Sequence, residues 1–198
     1  MSGDLKLTGK LNYTARKMLR KVCGILDKHK IPYVLEGGTL LGIVRENRLL
    51  PWDNDLDLTI TENYMDRILN LKREFWWSGY KLRIRKSREE MPHFPKGSVR
   101  LIKIKTKKYF LASGIGLMDI FVKKKIDDKY YWLVGPHSHV LKSVPHHFYE
   151  NFTRYNFEGY DYSVPADYKA YLTYRYGDWH KAVKNYDYKK DDKSIVTS

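Results

Sequence analysis

The apolar positions near the start of the chain recur with helical spacing. Leu11, Ala15, Met18, Leu19, Val22, Ile25 and Leu26 fall at i, i+4, i+7, i+8, i+11, i+14 and i+15, which lays one apolar stripe along a helix. Cys23 is a small neighbour of that stripe. Ile31 to Leu35 reads as a short strand ending in Glu36-Gly37-Gly38, and Thr39 to Arg45 as a helix opening at the glycines. From Asp55 to Ile60 polar and apolar residues alternate with the period of a strand. Met65 to Trp77 returns to helical spacing, and Gly79 closes it. Two cation-rich strands follow, with a turn around Pro92, Pro95 and Gly97. Ile115 to Lys123 and Tyr130 to Val134 then read as apolar strands. Beyond Pro145 the chain is rich in tyrosine, and a helix is expected from Ala166 to Tyr176, stopped by Gly177. The tail from Lys189 is polar and is expected to fray. Strands in succession mixed with helices predict an α/β (α+β) domain with a mixed sheet flanked by helices. One such domain is expected over residues 1–188, followed by the tail 189–198.

Composition narrows the class. At 198 residues the chain suits one domain, which buries about 70% of its unfolded surface. A hydrophobic content of 42% with 15% aromatics excludes a disordered chain. The single cysteine leaves no intrachain disulfide, which fits a reducing compartment. No run approaches the 18 apolar residues of a membrane span. The first ten residues lack an apolar core, so a cytoplasmic location without a secretory signal is expected.

The net charge of +14 points to nucleic acid, an anionic membrane surface or acidic substrates, against the plainer reading of a Lys-rich surface. From Lys72 to Lys108 there are 13 Lys/Arg against three acids, so +10 of the excess lies in one block. Within it Tyr80, Leu82 and Ile84 alternate with Lys81, Arg83 and Arg85. Strand period then predicts a hairpin with a basic outer face. Lys103, Lys105, Lys107 and Lys108 are expected on the same wall, so neutralising them is expected to weaken engagement of an anionic partner or membrane.

Three features carry chemistry. Gly37-Gly38-Thr39 stands where a strand meets a helix, a place where backbone N–H groups hold a phosphate; most Gly-Gly pairs are simply turns. Asp55 and Asp57 share one face of a strand, about 7 Å apart, while Leu56 and Leu58 turn inward. Like charges so placed repel, and an oxygen-only cation such as Mg²⁺ or Mn²⁺ between them relieves that. The alternative is a solvated acidic turn after Pro51, with Asp53 as its turn former. Asp119 lies inside the apolar run Leu117 to Val122, where a lone charge needs an ion or a salt bridge. Three carboxylates on neighbouring strands suit metal-assisted phosphoryl or nucleotidyl transfer, with an acid able to serve as the base for an acceptor hydroxyl.

The run Glu36 to Arg45, followed by Leu50-Pro-Trp-Asp-Asn-Asp-Leu-Asp-Leu58, closely resembles the signature of the LicD family of phosphocholine and ribitol-phosphate transferases. Asp119-Ile-Phe and Tyr176-Gly-Asp-Trp179 resemble later landmarks, so the likeness runs from about Tyr33 to Trp179, weakest over the basic strands. The resemblance implies a nucleotidyltransferase-like fold. It implies transfer of a choline-, ribitol- or glycerol-phosphate type of group from a CDP-linked donor to a glycan or lipid-linked glycan, with release of CMP. Asp55, Asp57 and Asp119 match the metal-binding and catalytic acids. Gly37, Gly38, Thr39 and Arg45 match the residues that meet donor phosphate; Arg45 otherwise pairs with Glu46. Asp178 could bind donor or acceptor, or act as a cap. Asn54 departs from the family, which often has an acid there. Peripheral contact with an anionic membrane is compatible with this reading. A nucleotidyltransferase moving NMP to a small molecule is the near alternative. A basic nucleic-acid-binding module is the distant one, and it leaves the carboxylates unexplained.

The remaining candidates have plainer readings. His137, His139, His146 and His147 fit no standard zinc spacing and read as flexible loop histidines. Trp76, Trp77, Trp179 and the tyrosines from Tyr149 to Tyr188 read as packing residues.

Overall fold

The apolar stripe of the N-terminal segment becomes α1 (Gly9–Lys28). Its Ala15, Met18, Leu19, Val22, Cys23, Ile25 and Leu26 are buried against the sheet. The computed structural model describes residues 6–108, 112–135, 138–183 and 186–196; His137 lies outside them, as does the Lys108 side chain. β1 (Val34–Leu35) leads into α2 (Gly37–Glu46). β2 (Leu56–Thr61) follows, then α3 (Met65–Asn70) and α4 (Lys72–Trp77). The single helix expected from Met65 to Trp77 is therefore divided, because Leu71 leaves the helical region at φ −84°, ψ 7°.

β3 (Tyr80–Lys86) and β4 (Val99–Lys108) form the basic hairpin, and β5 (Ala112–Ile126) runs beside it. The main sheet has the order β1-β2-β5-β4-β3. β2 and β5 are parallel, and the other pairs along this path are antiparallel. β5 is long enough to leave this sheet at its far end. There it pairs with β6 (Lys129–Val134), which pairs in turn with β7 (Val140–Pro145). The β5–β6 turn has Asp127 at φ 51°. The result is the mixed sheet flanked by helices that the chain pattern predicts.

Three strands go beyond that pattern: β7, β8 (Phe152–Phe157) and β9 (Tyr160–Pro165). β8 and β9 make a separate hairpin whose turn is Glu158-Gly159, both at positive φ (50° and 72°), the conformation a two-residue hairpin turn demands. α5 (Tyr168–Tyr176) follows, with the Asp167 side chain capping it and Gly177 ending it.

Alternation fails for the basic strands. The β4–β5 register shifts between Ile104 and Lys105 and again between Lys105 and Lys107. Each irregularity changes which face the following side chain meets. Lys103 and Lys105 line a cleft, whereas the Lys107 Nζ sits 3.8 Å over the ring of Trp76 on α4. The expected single basic face is thus split. Trp77 is 74% exposed and packs edge-on against Trp76 instead of entering the core.

The C-terminal segment is not frayed over its described length. Ser143 N donates to Ser194 O and Val196 N to Leu141 O, extending the β7 edge. Asp192 is 2% exposed, and its carboxylate accepts from Lys142 Nζ at 2.6 Å and from the Arg175 guanidinium. Replacing Asp192 with Ala leaves the buried Lys142 without its acid and Arg175 with Glu36 alone, and is expected to cost about 3–5 kcal/mol. Urea unfolding checks this; a loss below about 1 kcal/mol would mean that the segment contributes like an exposed surface pair.

Candidate active site

Strand register sets the chemistry side by side. Asp57 on β2 is the partner of Asp119 on β5, Asp119 is the partner of Lys103 on β4, and Lys103 is the partner of Arg83 on β3. Directly paired residues share a face, so one face carries two carboxylates and then two cations across four strands. Asp55 stands just before β2. Lys103 Nζ lies 2.6 Å from Asp119 Oδ1. The salt bridge that could answer the lone charge of Asp119 is therefore present, to a cation the chain pattern had placed on a substrate-facing wall.

The glycines lie against the acids. A Cβ on Gly37 would stand 2.4 Å from Asp57 Oδ2, and one on Gly38 would stand 1.9 Å from Asp53 Oδ2. Gly37 also has φ +55°. The opening of α2 therefore approaches the carboxylates as only glycine permits. Asp53 keeps its turn role, with Oδ1 accepting from Asn54 N at 2.9 Å. Its other oxygen brings a fourth carboxylate to the site, which the sequence reading had left in the turn. Thr39 stands apart: it is 2% exposed, and its Oγ1 accepts from Asp57 N at 2.8 Å, so it positions the strand. Arg45 forks onto Glu46 (3.0 and 2.5 Å) and donates to Trp179 O at 3.3 Å. Asp178 is exposed at the rim and pairs with Lys181 at 2.9 Å.

Beneath the site lies a buried polar network. Glu36, the cap of α2, is 1% exposed. Its carboxylate accepts from Thr59 Oγ1 (2.8 Å), Lys123 Nζ (2.7 Å), Tyr149 OH (2.7 Å), Tyr171 OH (2.5 Å) and Arg175. Burial alone would raise the Glu36 carboxyl, but the charges of Lys123 and Arg175 hold it well below the usual carboxylate range. Burial pulls Lys123 down to about 8 against the opposing pull of Glu36. Nothing in the chain pattern marks Glu36 as buried, because a Glu before Gly-Gly reads equally as a turn residue.

The aspartates are less well served: Asp119 has Lys103 and Asp53 a backbone N–H, and Asp55 and Asp57 crowd each other. Burial first, then the charges of Asp119 and Asp53, push the Asp55 carboxyl up to about 7. Burial and the neighbouring acids raise Asp57 well above its ordinary value. Burial raises Asp119 in spite of Lys103. The donor set is oxygen-only and short of positive charge, which suits a hard divalent cation. As they stand, no three His, Cys, Asp or Glu groups among the described residues converge closely enough to hold one.

These groups open on a cleft of about 1370 Å³. It is lined by Gly37, Gly38 and the aspartates and by the cations Arg85, Arg88, Arg100 and Lys105. Trp52 and Tyr188 line it as exposed rings, and Trp179 lines it from a buried position. His139, expected as a flexible loop residue, is 6% exposed. Its ring meets Gly135 O at 3.0 Å and accepts from Arg88 N at 3.2 Å, pinning the loop after β3. The sequence reading missed Arg100 and the fixing of Arg88; a cation between two strand residues carries no mark of burial.

Comparison with known proteins adds the following. The model of the LicD/FKTN/FKRP nucleotidyltransferase domain matches residues 30–167. Protein RT0683 of Rickettsia typhi is 27% identical over 171 residues, which is 83% of this chain and 46% of that protein. The human ribitol 5-phosphate transferase FKRP is 40% identical over 58 residues, 29% of this chain and 11% of that one. The lipopolysaccharide cholinephosphotransferase LicD of Haemophilus influenzae is 34% identical over 47 residues, 24% of this chain and 18% of that one. The chain thus spans less than half the length of each of these relatives.

The raised acids have a consequence for stability. An unfolded Asp ionises near 3.9, while Asp55 in the fold does so at about 7. The folded state therefore binds the extra proton between these values, and its stability falls as pH rises through them. In EDTA, Asp55→Asn is expected to be more stable than wild type at pH 7.5, with the advantage shrinking at pH 4.5. Urea midpoints at the two pH values check this; an advantage independent of pH would contradict it.

Proposed function

The chain belongs to the LicD/FKTN/FKRP nucleotidyltransferase-domain family, and from that premise we propose that it is a metal-dependent phosphotransferase. It moves a substituted phosphate of the choline-, ribitol- or glycerol-phosphate type from a CDP-activated donor to a glycan hydroxyl and releases CMP. The observation that carries this reading is the adjacency of Asp57 and Asp119 on parallel strands, with Asp57 against Gly37 at the opening of α2.

Asp55, Asp57 and Asp119 are the residues that would hold Mg²⁺ or Mn²⁺. When bound, the ion supplies positive charge against the transferring phosphate. Gly37 and Gly38 keep the head of α2 open, so backbone N–H groups at a positive helix end face the donor. The acceptor hydroxyl oxygen bonds to the phosphorus that bears the substituent. The bond from that phosphorus to the CMP oxygen breaks, CMP leaves, and a carboxylate of the cluster takes the hydroxyl proton. Arg45, held on Glu46 and Trp179 O, keeps a cation and the Trp179 segment at the rim, beside Asp178. The acceptor in this reading is a glycan or lipid-linked glycan, met in the cytoplasm or at a membrane surface. No described helix is long and apolar enough to cross a membrane.

Incubation with CDP-choline, CDP-ribitol and CDP-glycerol plus Mg²⁺ or Mn²⁺ tests the reading. One donor is expected to yield CMP, and Asp57→Asn is expected to lower the rate by more than about 100-fold while keeping a cooperative unfolding transition. Pyrophosphate release from a nucleoside triphosphate, without CMP from any CDP-linked donor, would instead indicate NMP transfer.

A further inference from the structure

The C-terminal segment carries a tyrosine into the cleft. Its backbone is clamped in a compact turn. Asp187 N donates to Asp191 Oδ2 at 2.7 Å, Asp191 N to Asp187 O at 2.8 Å, and Lys189 N to Asp187 Oδ1 at 2.9 Å. The buried Asp192 then anchors the turn on Lys142 and Arg175. Tyr188 sits inside that turn, so its backbone has little freedom, yet its ring is 42% exposed and lines the cleft. Lys142 Nζ lies 5.7 Å from the centre of the ring. Burial, then the charges of Asp187 and Asp55, raise the Tyr188 hydroxyl, and Arg100 acts against them. The hydroxyl thus stands in the field of a carboxylate of the site. Tyr186 differs, because its ring packs edge-on against Tyr176 at 5.5 Å. The segment lies beyond the family match at residues 30–167.

Exposed apolar side chains gather at this cleft. Of the ten large apolar residues exposed among the described ones, Trp52, Ile115, Val183, Tyr186 and Tyr188 line it. Covering such surface with a ligand that has an apolar face is favourable. A ring whose backbone is already fixed loses little entropy in the process. We propose that Tyr188 is an acceptor-binding residue, whose exposed ring takes the apolar face of a sugar ring beside the carboxylates. This deepens the transferase reading and rests on it for the word acceptor. The acceptor hydroxyl must give its proton to a carboxylate of the cluster, so the unit that bears it lies against those acids. The cytosine base of a CDP-linked donor is set further off, separated from the reacting phosphorus by a ribose and a phosphate.

The test is saturation-transfer NMR on the full chain in EDTA, with the methyl glycosides of glucose, galactose and N-acetylglucosamine as probes. Irradiating the aromatic protons is expected to pass saturation to the ring protons of at least one glycoside. Tyr188→Leu keeps the bulk but removes the flat face, and is expected to lower that transfer about fivefold or more. Tyr188→Phe is expected to retain it. Both variants are expected to fold, because Asp187 and Asp191 hold the turn, not the ring. Tyr13→Ala is expected to leave the transfer unchanged, since Tyr13 is exposed on α1 and does not line the cleft. No transfer to any of the three glycosides, transfer insensitive to Tyr188→Leu, or equal transfer to ribitol would overturn the proposal. Tyr188-dependent binding of CMP or phosphocholine in place of the sugars would overturn it in favour of a donor contact. Failure to release CMP from any CDP-linked donor would refute the transferase reading while leaving Tyr188-dependent sugar binding standing.

Discussion

Glu36 enters the interior ionised, and the site is built around satisfying it. Burying a carboxylate costs several kcal/mol, which only close and well-aimed partners offset. Here the donors come from separate parts of the chain: Thr59 on β2, Lys123 on β5, Tyr149 after β7, and Tyr171 and Arg175 on α5. Since Glu36 also caps α2, those bonds fix where the helix opens relative to β2 and β5. That position brings Gly37 against Asp57 and Gly38 against Asp53. Arg175 then carries the network on to Asp192, so the C-terminal segment is tied to the floor of the cleft.

The same cleft brings acids and cations together. Glu36 beneath it is compensated, and Lys103 is spent on Asp119. Asp55 and Asp57 have no comparable cation, and burial together with mutual repulsion raises both. A divalent ion held between them would relieve that repulsion.

Much of this was legible in the chain. The stripe of α1, the alternation of β2, the glycine opening of α2 and the stop at Gly177 follow from local spacing and turn chemistry. The positions of Asp57 and Asp119 on neighbouring strands, with Asp55 just before the first, followed from pattern and family likeness together. The failures share a cause, which is that local pattern does not encode tertiary partners. Lys107 was assigned to the substrate side because period-2 counting cannot see the irregularities around Lys105. The tail was expected to fray because Asp192 looks like any surface acid until Lys142 and Arg175 meet it. β8 and β9 carried a readable signal, aromatic runs flanking Glu158-Gly159, which the abundance of tyrosine obscured. The break at Leu71 has neither Pro nor Gly to announce it.

The central claim is that Asp55, Asp57 and Asp119 are the cation-holding acids of a transfer site. Anomalous diffraction from crystals soaked in Mn²⁺ and a CDP-linked donor tests it most directly. The account predicts a Mn²⁺ peak in contact with carboxylate oxygens of these residues, at the opening of α2. A peak elsewhere, or no peak in this cleft under conditions that support CMP release, would contradict it.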